Sequence, residues 1–332
     1  MQIDPPHDQN RKVFLAPMAG ITDLPFRGLV SRFGAVQVVS EMIASQDILT
    51  GRPGTRARAE LGLGVENTAV QLAGRDPYWM SEAAKFCEAG GAQIIDINMG
   101  CPAKKVTSGS GLGAAGSALM REPDLALRLI EAVVSAVSVP VTLKTRLGWD
   151  ESSLTAPCLA ASAESAGVTM ITIHGRTRCQ FYKGVADWSA IARVSAAVKI
   201  PVIANGDISN PSDARRALAA SNAQGVMIGR AARGQPWLPA CIEAALNGRS
   251  LPDIPCGADL LSLVQEHYET MLYFYGSDLG PRVARKHLSW YMDHASTPGA
   301  LRQELLTETR PDVVLKGLTG AFDEALAGDI AA

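Results

Sequence analysis

Residues 201–230 read PVIANGDISNPSDARRALAASNAQGVMIGR and contain one complete unit of a pattern that recurs along the chain. The apolar run Pro201–Asn205 ends in a glycine-containing turn, and Asn210 followed by proline is a typical helix start. A second apolar run, Gln224–Ile228, comes after the helical stretch and ends in Gly-Arg. A strand, a helix and another strand in this order predict a parallel βαβ unit.

The same unit recurs over most of the chain. Eight short runs of apolar and β-branched residues are each followed by a turn and a helix-like stretch. These runs are Val13–Pro17, Val36–Glu41, Thr68–Ala73, Gln93–Asn98, Pro140–Thr145, Thr169–Ile173, Pro201–Asn205 and Gln224–Ile228. Several are nearly all apolar, as parallel strands buried on both faces should be. Eight units predict an α/β fold of the (β/α)8 TIM barrel type, with a doubly wound open sheet as the alternative.

The strand pattern stops after Gly234–Pro239. The stretch Ser250–Gly257 contains two prolines and a glycine and is typical of a linker. Beyond it only helical periodicity remains, which predicts three or four helices packed as a small bundle. We therefore expect a catalytic barrel over residues 1–245 and a small all-helical C-terminal domain over residues 258–332.

Composition limits the functional classes. The chain has 332 residues, is 47% hydrophobic and carries a formal net charge of −2. No stretch of about 20 residues lacks both charge and proline, so we expect no membrane span. The N-terminus has no apolar core of a signal peptide, which favours a cytoplasmic protein, and we expect a monomer. The six cysteines form no CxxC pair, so we expect no metal site.

Charge is distributed unevenly along the chain. Residues 251–332 contain six Lys and Arg against twelve Asp and Glu, whereas residues 1–250 contain 25 against 21. The C-terminal domain is therefore acidic, with a net charge of −6. This charge argues against a role for that domain in binding nucleic acid.

Polar side chains cluster where the predicted strands end. The active site of a barrel enzyme lies at these C-terminal strand ends. The residues found there are Ala16–Gly20, Glu41, Met42, Gln71, Asn98–Pro102, Lys144, Arg146, His174–Arg176, Asn205–Asp207, Gly229 and Arg230. The sequence therefore predicts one polar site at the barrel mouth.

The last two strand ends indicate a phosphate site. Loops after strands seven and eight recurrently bind phosphate in barrel enzymes. Gly206 and Gly229 would let backbone N–H groups approach an anion, and Arg230 adds a bidentate cation. The alternative is that both glycines only serve tight turns.

Lys144 lies within the run VTLKTR and should point into the barrel. A buried lysine is costly unless an anion accompanies it. A reduced flavin is such a partner, and Gln71 could pair with the flavin's pyrimidine edge. An ion pair of Lys144 with Asp96 or Glu41 is the alternative.

Cys101 stands between Gly100 and Pro102, which places it on a turn above the barrel mouth. A free cysteine is mostly thiol at neutral pH and can donate a proton to a carbanion. A nucleophilic role assisted by His174 is the alternative. The other cysteines that we expect to be simple buried residues are Cys87, Cys158 and Cys241.

Histidine and arginine residues concentrate at one strand end, in the string His174-Gly175-Arg176-Thr177-Arg178. This arrangement favours an anionic ligand over a metal ion, because partner ligands for a metal are lacking.

Longer motifs resemble those of a known family. They are APMAGITDLPFR (16–27), QIIDINMGCPAKKV (93–106), IHGRTR (173–178), VIANGDI (202–208), MIGRAARGQPW (227–237) and VARKHLSWY (283–291). These strings are similar to the signatures of the tRNA-dihydrouridine synthase family, and most similar to its bacterial B-type branch, sometimes labelled nitrogen-regulation-like. The resemblance is strong over residues 13–240 and extends into the C-terminal domain.

The resemblance implies a (β/α)8 barrel with FMN at its mouth and a C-terminal helical domain that binds tRNA. The residues implied to border the flavin ring are Pro17, Met18 and Ala19, with Gln71 and Lys144 at its pyrimidine edge. Those implied at the phosphate are Asn205, Gly206, Asp207, Gly229 and Arg230, with His174 nearby. Cys101 matches the family's proton donor. Asn98 and Arg176 are candidates for contacting the flipped uracil.

The reaction implied has two halves. NADPH reduces FMN, and hydride then passes from flavin N5 to C6 of uracil while Cys101 protonates C5. The target base must leave its stack. Because no GxGxxG motif is present, NADPH should bind transiently over the flavin. The alternatives are an FMN-dependent pyrimidine or dihydroorotate oxidoreductase acting on free small molecules, and an RNA-binding protein with an inactive barrel.

A local basic stripe offsets the acidity of the C-terminal domain. Arg282, Arg285 and Lys286 fall at i, i+3 and i+4, and so share one helix face. We expect this stripe to contact tRNA phosphates, because salt screens the more distant acidic charges. The alternative is a solvated face paired with neighbouring acids. The Gly- and Ser-rich segment Ser108–Ala118 is expected to be a loop.

Overall fold

The computed structural model describes residues 12–34, 36–51, 61, 68–108 and 114–328, with side chains up to residue 322.

Parallel strands form a closed barrel. Within the described ranges there are nine: β1 (Lys12–Leu15), β2 (Gln37–Val39), β3 (Ile43–Ala44), β4 (Thr68–Ala73), β5 (Ile94–Met99), β6 (Val141–Arg146), β7 (Met170–His174), β8 (Val202–Asn205) and β9 (Gly225–Ile228). Each of the eight predicted runs overlaps one of them. Strand β1 pairs with both β9 and β2, and β2 pairs with β4, so the ring closes. The predicted TIM barrel is confirmed, and the open sheet is excluded.

The additional strand, β3, arises from a bulge in the second run. Val39 pairs with Ala69 and Ile43 with Leu72, so β2 and β3 together contain one residue more than β4 over this interval. Ser40 bridges the irregularity, because its N–H donates to Ala69 and its hydroxyl accepts from the N–H of Gln71. The next residue, Glu41, is buried, and its carboxylate accepts from the N–H of Gly20.

Helices surround the barrel. Their bounds are Leu24–Ser31, Ser45–Leu49, Pro77–Ala89, Lys104–Thr107, Pro123–Val134, Ala156–Ser165, Trp188–Ser195, Pro211–Ser221 and Leu238–Leu246, with 3-10 turns at Gly116–Arg121 and Arg230–Ala232. Asn210 caps the helix Pro211–Ser221 as predicted, because its side chain accepts from the N–H of Asp213 at 2.8 Å. The loop expected over Ser108–Ala118 ends in one of the 3-10 turns, and residues 109–113 lie outside the described ranges.

The expectation for the structural cysteines is correct for Cys87 and Cys241, which are buried. It is wrong for Cys158, which is exposed. The helix Ala156–Ser165 buries Leu159 and Ala160 against the barrel, and Cys158 lies on its outer face.

The C-terminal region is all-helical. It contains Gly257–His294, Gly299–Thr307 and Pro311–Gly328. The first is interrupted at Gly276, whose φ of 78° and ψ of 171° leave the helical region, so it consists of two helical segments.

Apolar side chains join these helices to the barrel. Leu29 and Trp237, which belong to the barrel helices and loops, share one buried cluster with Val264, Leu288 and other residues of the C-terminal helices. The domain bounds of 1–245 and 258–332 stay a prediction. No helix in the described part of the chain is long and apolar enough to cross a bilayer.

Candidate active site

A cavity of about 710 Å³ occupies the barrel mouth, at the C-terminal ends of the strands. All the residues expected around the cofactor line it, together with Asn98 and Cys101. They are Pro17, Met18, Ala19, Gln71, Lys144, His174, Asn205, Gly206, Asp207, Gly229 and Arg230. Residues that are distant in sequence therefore converge on one site.

Hydrogen-bonded side chains from three adjacent strands include Gln71 and Asn98, which line the cavity, and the buried Asp96 and Thr142. Strand register places Gln71 beside Asp96, and Asp96 beside Thr142. The Gln71 amide donates to Asp96 at 2.6 Å, and the Thr142 hydroxyl donates to the other carboxylate oxygen at 2.6 Å. Asn98 donates to the Gln71 carbonyl oxygen at 2.8 Å. The amide of Gln71 is therefore held in one orientation.

Lys144 reaches into the cavity without a contact ion pair. Its Nζ donates to Asn205 Oδ1 at 3.1 Å, and Asn205 in turn donates to the carbonyl oxygen of Met227. Among the salt bridges of the described residues none includes Lys144, so the alternative of a direct pair with Asp96 or Glu41 is not realised. Burial, and then the charge of Arg146, lower the pKa of Lys144 from 10.5 to about 8. The ammonium can therefore pair with an anionic ligand in the cavity.

The loop carrying Cys101 is fixed on both sides. Asn98 Oδ1 accepts from the N–H groups of Gly100 and Cys101, at 3.2 and 3.0 Å. The Cys101 carbonyl oxygen accepts from the hydroxyl of Ser117 at 2.9 Å. Gly116 has a φ of 59°, and a Cβ there would lie 2.8 Å from the Cys101 carbonyl oxygen. Glycine is required for this close approach.

His174 has a defined tautomer. Its Nε2 lies 3.2 Å from Nη1 of Arg176, and a guanidinium can only donate, so Nε2 accepts and the proton lies on Nδ1. Burial and the surrounding cations hold the pKa of His174 well below its ordinary value. Because Nε2 is engaged with Arg176, His174 is poorly placed to act as a base for Cys101.

Arg176 does not line the cavity, contrary to the role expected for it as a substrate contact. Its guanidinium is buried and donates to Asp207 and to the carbonyl oxygens of Lys183 and Gly184. The sequence could not reveal this, because the residues that cover Arg176 belong to the loop that follows it. Arg176 fixes that loop and the ring of His174.

Asp207 organises the cations of the site. It accepts from Arg176 at 2.5 Å, from the N–H of Ala186 at 2.8 Å and from Arg230 at 3.2 Å. Burial acts to raise the pKa of Asp207, but the hydrogen bonds from Arg176 and Ala186 outweigh it and keep this pKa below its ordinary value. An ionised carboxylate repels phosphate, so Asp207 positions Arg230 rather than contacting an anion itself.

Two glycines lie at the strand ends beside Arg230: Gly206 is closely packed, and Gly229 has open space next to it. Gly206 has a φ of 116°, and a Cβ there would lie 2.7 Å from the Cβ of Ala186. At Gly229 the nearest atom to an added Cβ is that of Ala16, at 3.8 Å. The Arg230 side chain is 49% exposed. These positions form the basic end of the cavity.

Tyr182 is a lining residue that the sequence reasoning missed. It is 46% exposed, and its ring lies 5.3 Å from the guanidinium of Arg146 and 5.4 Å from that of Arg230. The available signal was the aromatic pair Phe181-Tyr182 in a loop that follows a barrel strand. Such an exposed, cation-flanked ring can stack on a base.

The basic stripe of the C-terminal region lies partly at the mouth. Arg282 is exposed, whereas Arg285 and Lys286 are half-buried. The ammonium of Lys286 lies beside Gly20, 3.0 Å from the position of an added Cβ. None of the three has a salt bridge within the described ranges, which disfavours the alternative of a face paired with acids.

Comparisons with known proteins show the family of the chain. The family model "Dihydrouridine synthase (Dus)" matches residues 14–326. A probable tRNA-dihydrouridine synthase of Rhodobacter capsulatus is 58% identical over 98% of this chain and 97% of its own length. A tRNA-dihydrouridine synthase B of Vibrio cholerae is 45% identical over 94% of this chain and 95% of its own length.

Solved structures share the barrel. Morphinone reductase superposes with a TM-score of 0.52 at 15% identity, covering 73% of this chain and 87% of that one. The same enzyme in complex with tetrahydroNAD gives a TM-score of 0.52 at 16% identity, over 75% and 90% of the two chains. At these identities the likeness shows the fold alone.

Proposed function

The chain belongs to the dihydrouridine synthase family, and from this membership we propose that it reduces specific uridines of tRNA to 5,6-dihydrouridine, with FMN as cofactor and NADPH as electron source. The family reaction adds two hydrogen atoms across a carbon–carbon double bond, so the chain is an oxidoreductase. The observation that carries the proposal is the mouth cavity. It is lined by Lys144, by Cys101 with its hydrogen-bonded backbone, and by the cationic Arg230.

The residues of the cavity fit FMN. At one end the ammonium of Lys144 donates to the neutral amide of Asn205 and forms no salt bridge with any residue in the described part of the chain, and Gln71 retains one N–H for a ligand. At the other end Gly206, Gly229 and Arg230 provide space, backbone donors and a cation for a phosphate. FMN has a phosphate at one end and, at the other, a pyrimidine edge that becomes negative on reduction. When bound, FMN supplies to uracil C6 the hydride that it has received from NADPH.

Cys101 is the proton donor in this proposal. Addition of hydride at C6 leaves negative charge at C5, which a nearby thiol can protonate. Asn98 and Ser117 hold the backbone of Cys101, so the position of the thiol is set before the substrate arrives. Lys144 and Arg146 line the same cavity as Cys101.

Binding of tRNA uses the rim of the cavity. The target base must leave its stack to reach the cavity, and the exposed ring of Tyr182 offers a surface on which a base can stack. Lys286 lies beside Gly20, in the loop after β1, and Arg282 is exposed one turn earlier on the same helix, so both would contact phosphates in this proposal. In this proposal residues 258–332 form the tRNA-binding part. A cytoplasmic monomer stays a prediction.

Two measurements test the proposal. The purified protein should carry FMN non-covalently or take it up on reconstitution, and it should oxidise NADPH. It should then reduce uridine in bulk tRNA but not free uracil, and it should not turn over dihydroorotate. Turnover of the free pyrimidines without tRNA would indicate the small-molecule oxidoreductase. A colourless protein that takes up no FMN would indicate an inactive barrel.

A further inference from the structure

Asp96 is a buried carboxylate that takes no direct part in the proposed chemistry. It is 4% exposed and lies on β5, facing Gln71 on β4 and Thr142 on β6. Each of its two oxygens accepts one hydrogen bond at 2.6 Å, from Gln71 and Thr142 respectively. A carboxyl group at this buried position needs an explanation, because burial of an unpaired carboxylate is strongly unfavourable.

The hydrogen-bond directions between Asp96 and Cys101 follow from the backbone. The N–H groups of Gly100 and Cys101 can only donate, so Asn98 must present Oδ1 to them. The Asn98 Nδ2 group then faces Gln71, whose carbonyl oxygen accepts the hydrogen bond. Gln71 consequently directs its NH2 group to Asp96, and the chain of hydrogen bonds ends on an acceptor.

We propose that Asp96 is a positioning residue: as the terminal acceptor it holds the amide of Gln71 in one orientation and, through Asn98, the backbone of Cys101. The inference rests on the proposed function, in which Gln71 contacts the flavin and Cys101 donates the proton. One buried carboxylate thereby orients both the cofactor contact and the acid. Asp96 itself touches neither cofactor nor substrate.

A carboxyl group suits this position because it presents an oxygen to each neighbour, and the oxygen that faces Gln71 accepts from its NH2 group. A neutral amide at position 96 would present a donor to either Thr142 or Gln71. If the donor faced Gln71, both amides would have to turn over, and the NH2 group of Asn98 would then oppose two backbone N–H groups. Burial raises the pKa of Asp96 above its ordinary value, and the opposing hydrogen bonds from Thr142 and Gln71 and the charge of Lys144 do not cancel this rise.

The test compares Asp96→Asn with Thr142→Val. The second variant removes the other hydrogen bond to the same carboxylate, but it leaves the Gln71–Asn98–Cys101 connection intact. Both are made in the full-length protein with serine in place of the exposed Cys158, Cys179 and Cys256, so that Cys101 is the accessible thiol. The readouts are the rate of Cys101 alkylation by iodoacetamide in FMN-free protein and the dissociation constant of FMN.

Asp96→Asn should accelerate alkylation at least about threefold and weaken FMN binding about tenfold, as expected for the loss of one hydrogen bond to a charged group. Thr142→Val should leave both values within about twofold of the parent protein. Asp96→Leu, which has a similar shape and can accept no hydrogen bond from Gln71, gives the decisive result: a folded Asp96→Leu protein with parental alkylation and FMN binding would overturn the inference. Equal effects from Asp96→Asn and Thr142→Val would also overturn it, because they would show a general loosening of the barrel.

A second variant keeps the inference testable if Asp96→Asn does not fold. Gln71→Met has a similar shape but breaks the connection at its middle, so it should accelerate Cys101 alkylation as Asp96→Asn does. Unchanged alkylation in that variant would contradict the inference. Failure of the proposed function is a separate outcome: the parent protein would then make no dihydrouridine, while alkylation would still report on Asp96.

Discussion

Replacement of Lys144 by methionine should stabilise the FMN-free protein while impairing its function. The pKa of Lys144 is lowered from 10.5 to about 8, first by burial. A difference of roughly 2.5 units corresponds to about 3 kcal/mol of folding free energy lost to the buried ammonium at neutral pH. Methionine at position 144 removes this cost, but it also removes the hydrogen bond to Asn205, which lowers the free energy of unfolding by about 1 kcal/mol. The free energy of unfolding should therefore rise by about 2 kcal/mol in Lys144→Met at pH 7.

The pH dependence of this gain identifies its cause. Between pH 8 and 10.5 the unfolded chain still holds the proton that the folded chain has lost, so wild-type stability increases with pH across this window. The advantage of Lys144→Met should shrink to near zero by about pH 9.5. Urea unfolding of FMN-free protein, followed by tryptophan fluorescence at both pH values, measures it.

The control for this experiment is Lys199→Met, because Lys199 is exposed and precedes β8 at the opposite end of the barrel. It should show no pH-dependent gain. A Lys144→Met protein that is no more stable at pH 7, or whose gain persists at high pH, would refute the reasoning. With FMN bound, the same variant should be reduced by NADPH at least about tenfold more slowly, because the reduced flavin loses its counter-charge.

Three further changes test other parts of the site. Cys101→Ala should preserve NADPH oxidation but lower dihydrouridine formation by roughly 10²–10⁴-fold in single-turnover assays, and a wild-type rate would exclude it as the donor. The triple change of Arg282, Arg285 and Lys286 to alanine should reduce the slope of log K against log salt for tRNA binding by roughly 0.7–0.9 per lost phosphate contact. An unaltered slope would place the RNA surface elsewhere. Tyr182→Leu should raise KM for tRNA several-fold with little change in FMN affinity, whereas loss of FMN would give the ring a cofactor role instead.

The barrel could be predicted from the sequence because each strand is a short apolar run with a turn after it. The mouth residues followed from the same pattern, since strand ends converge in a barrel. The bulge between β2 and β3 could not be predicted, because it depends on the Ser40 hydroxyl taking the place of a backbone acceptor in the β4 ladder. Cys158 was misjudged because the Ala-rich helix around it has only a weak apolar stripe.

The hydrogen-bond partners of the site residues could not be predicted from the sequence, for a different reason. Arg176 looked like a ligand contact, but its guanidinium is buried against Asp207 and the loop that follows it. Asp96 looked like a possible counter-ion of Lys144. The register of β4, β5 and β6 instead places it beside Gln71 and Thr142, which both donate hydrogen bonds to it. Which polar residue pairs with which is decided by tertiary packing.

The most direct test of the central claim is mass spectrometry of tRNA that lacks dihydrouridine, incubated with the FMN-loaded protein and NADPH. The account predicts that particular uridines gain the mass of two hydrogen atoms, that Cys101→Ala protein yields almost none of this product, and that both proteins oxidise NADPH. If the tRNA is unchanged while the flavin is reduced and reoxidised normally, the protein is not a tRNA uridine reductase.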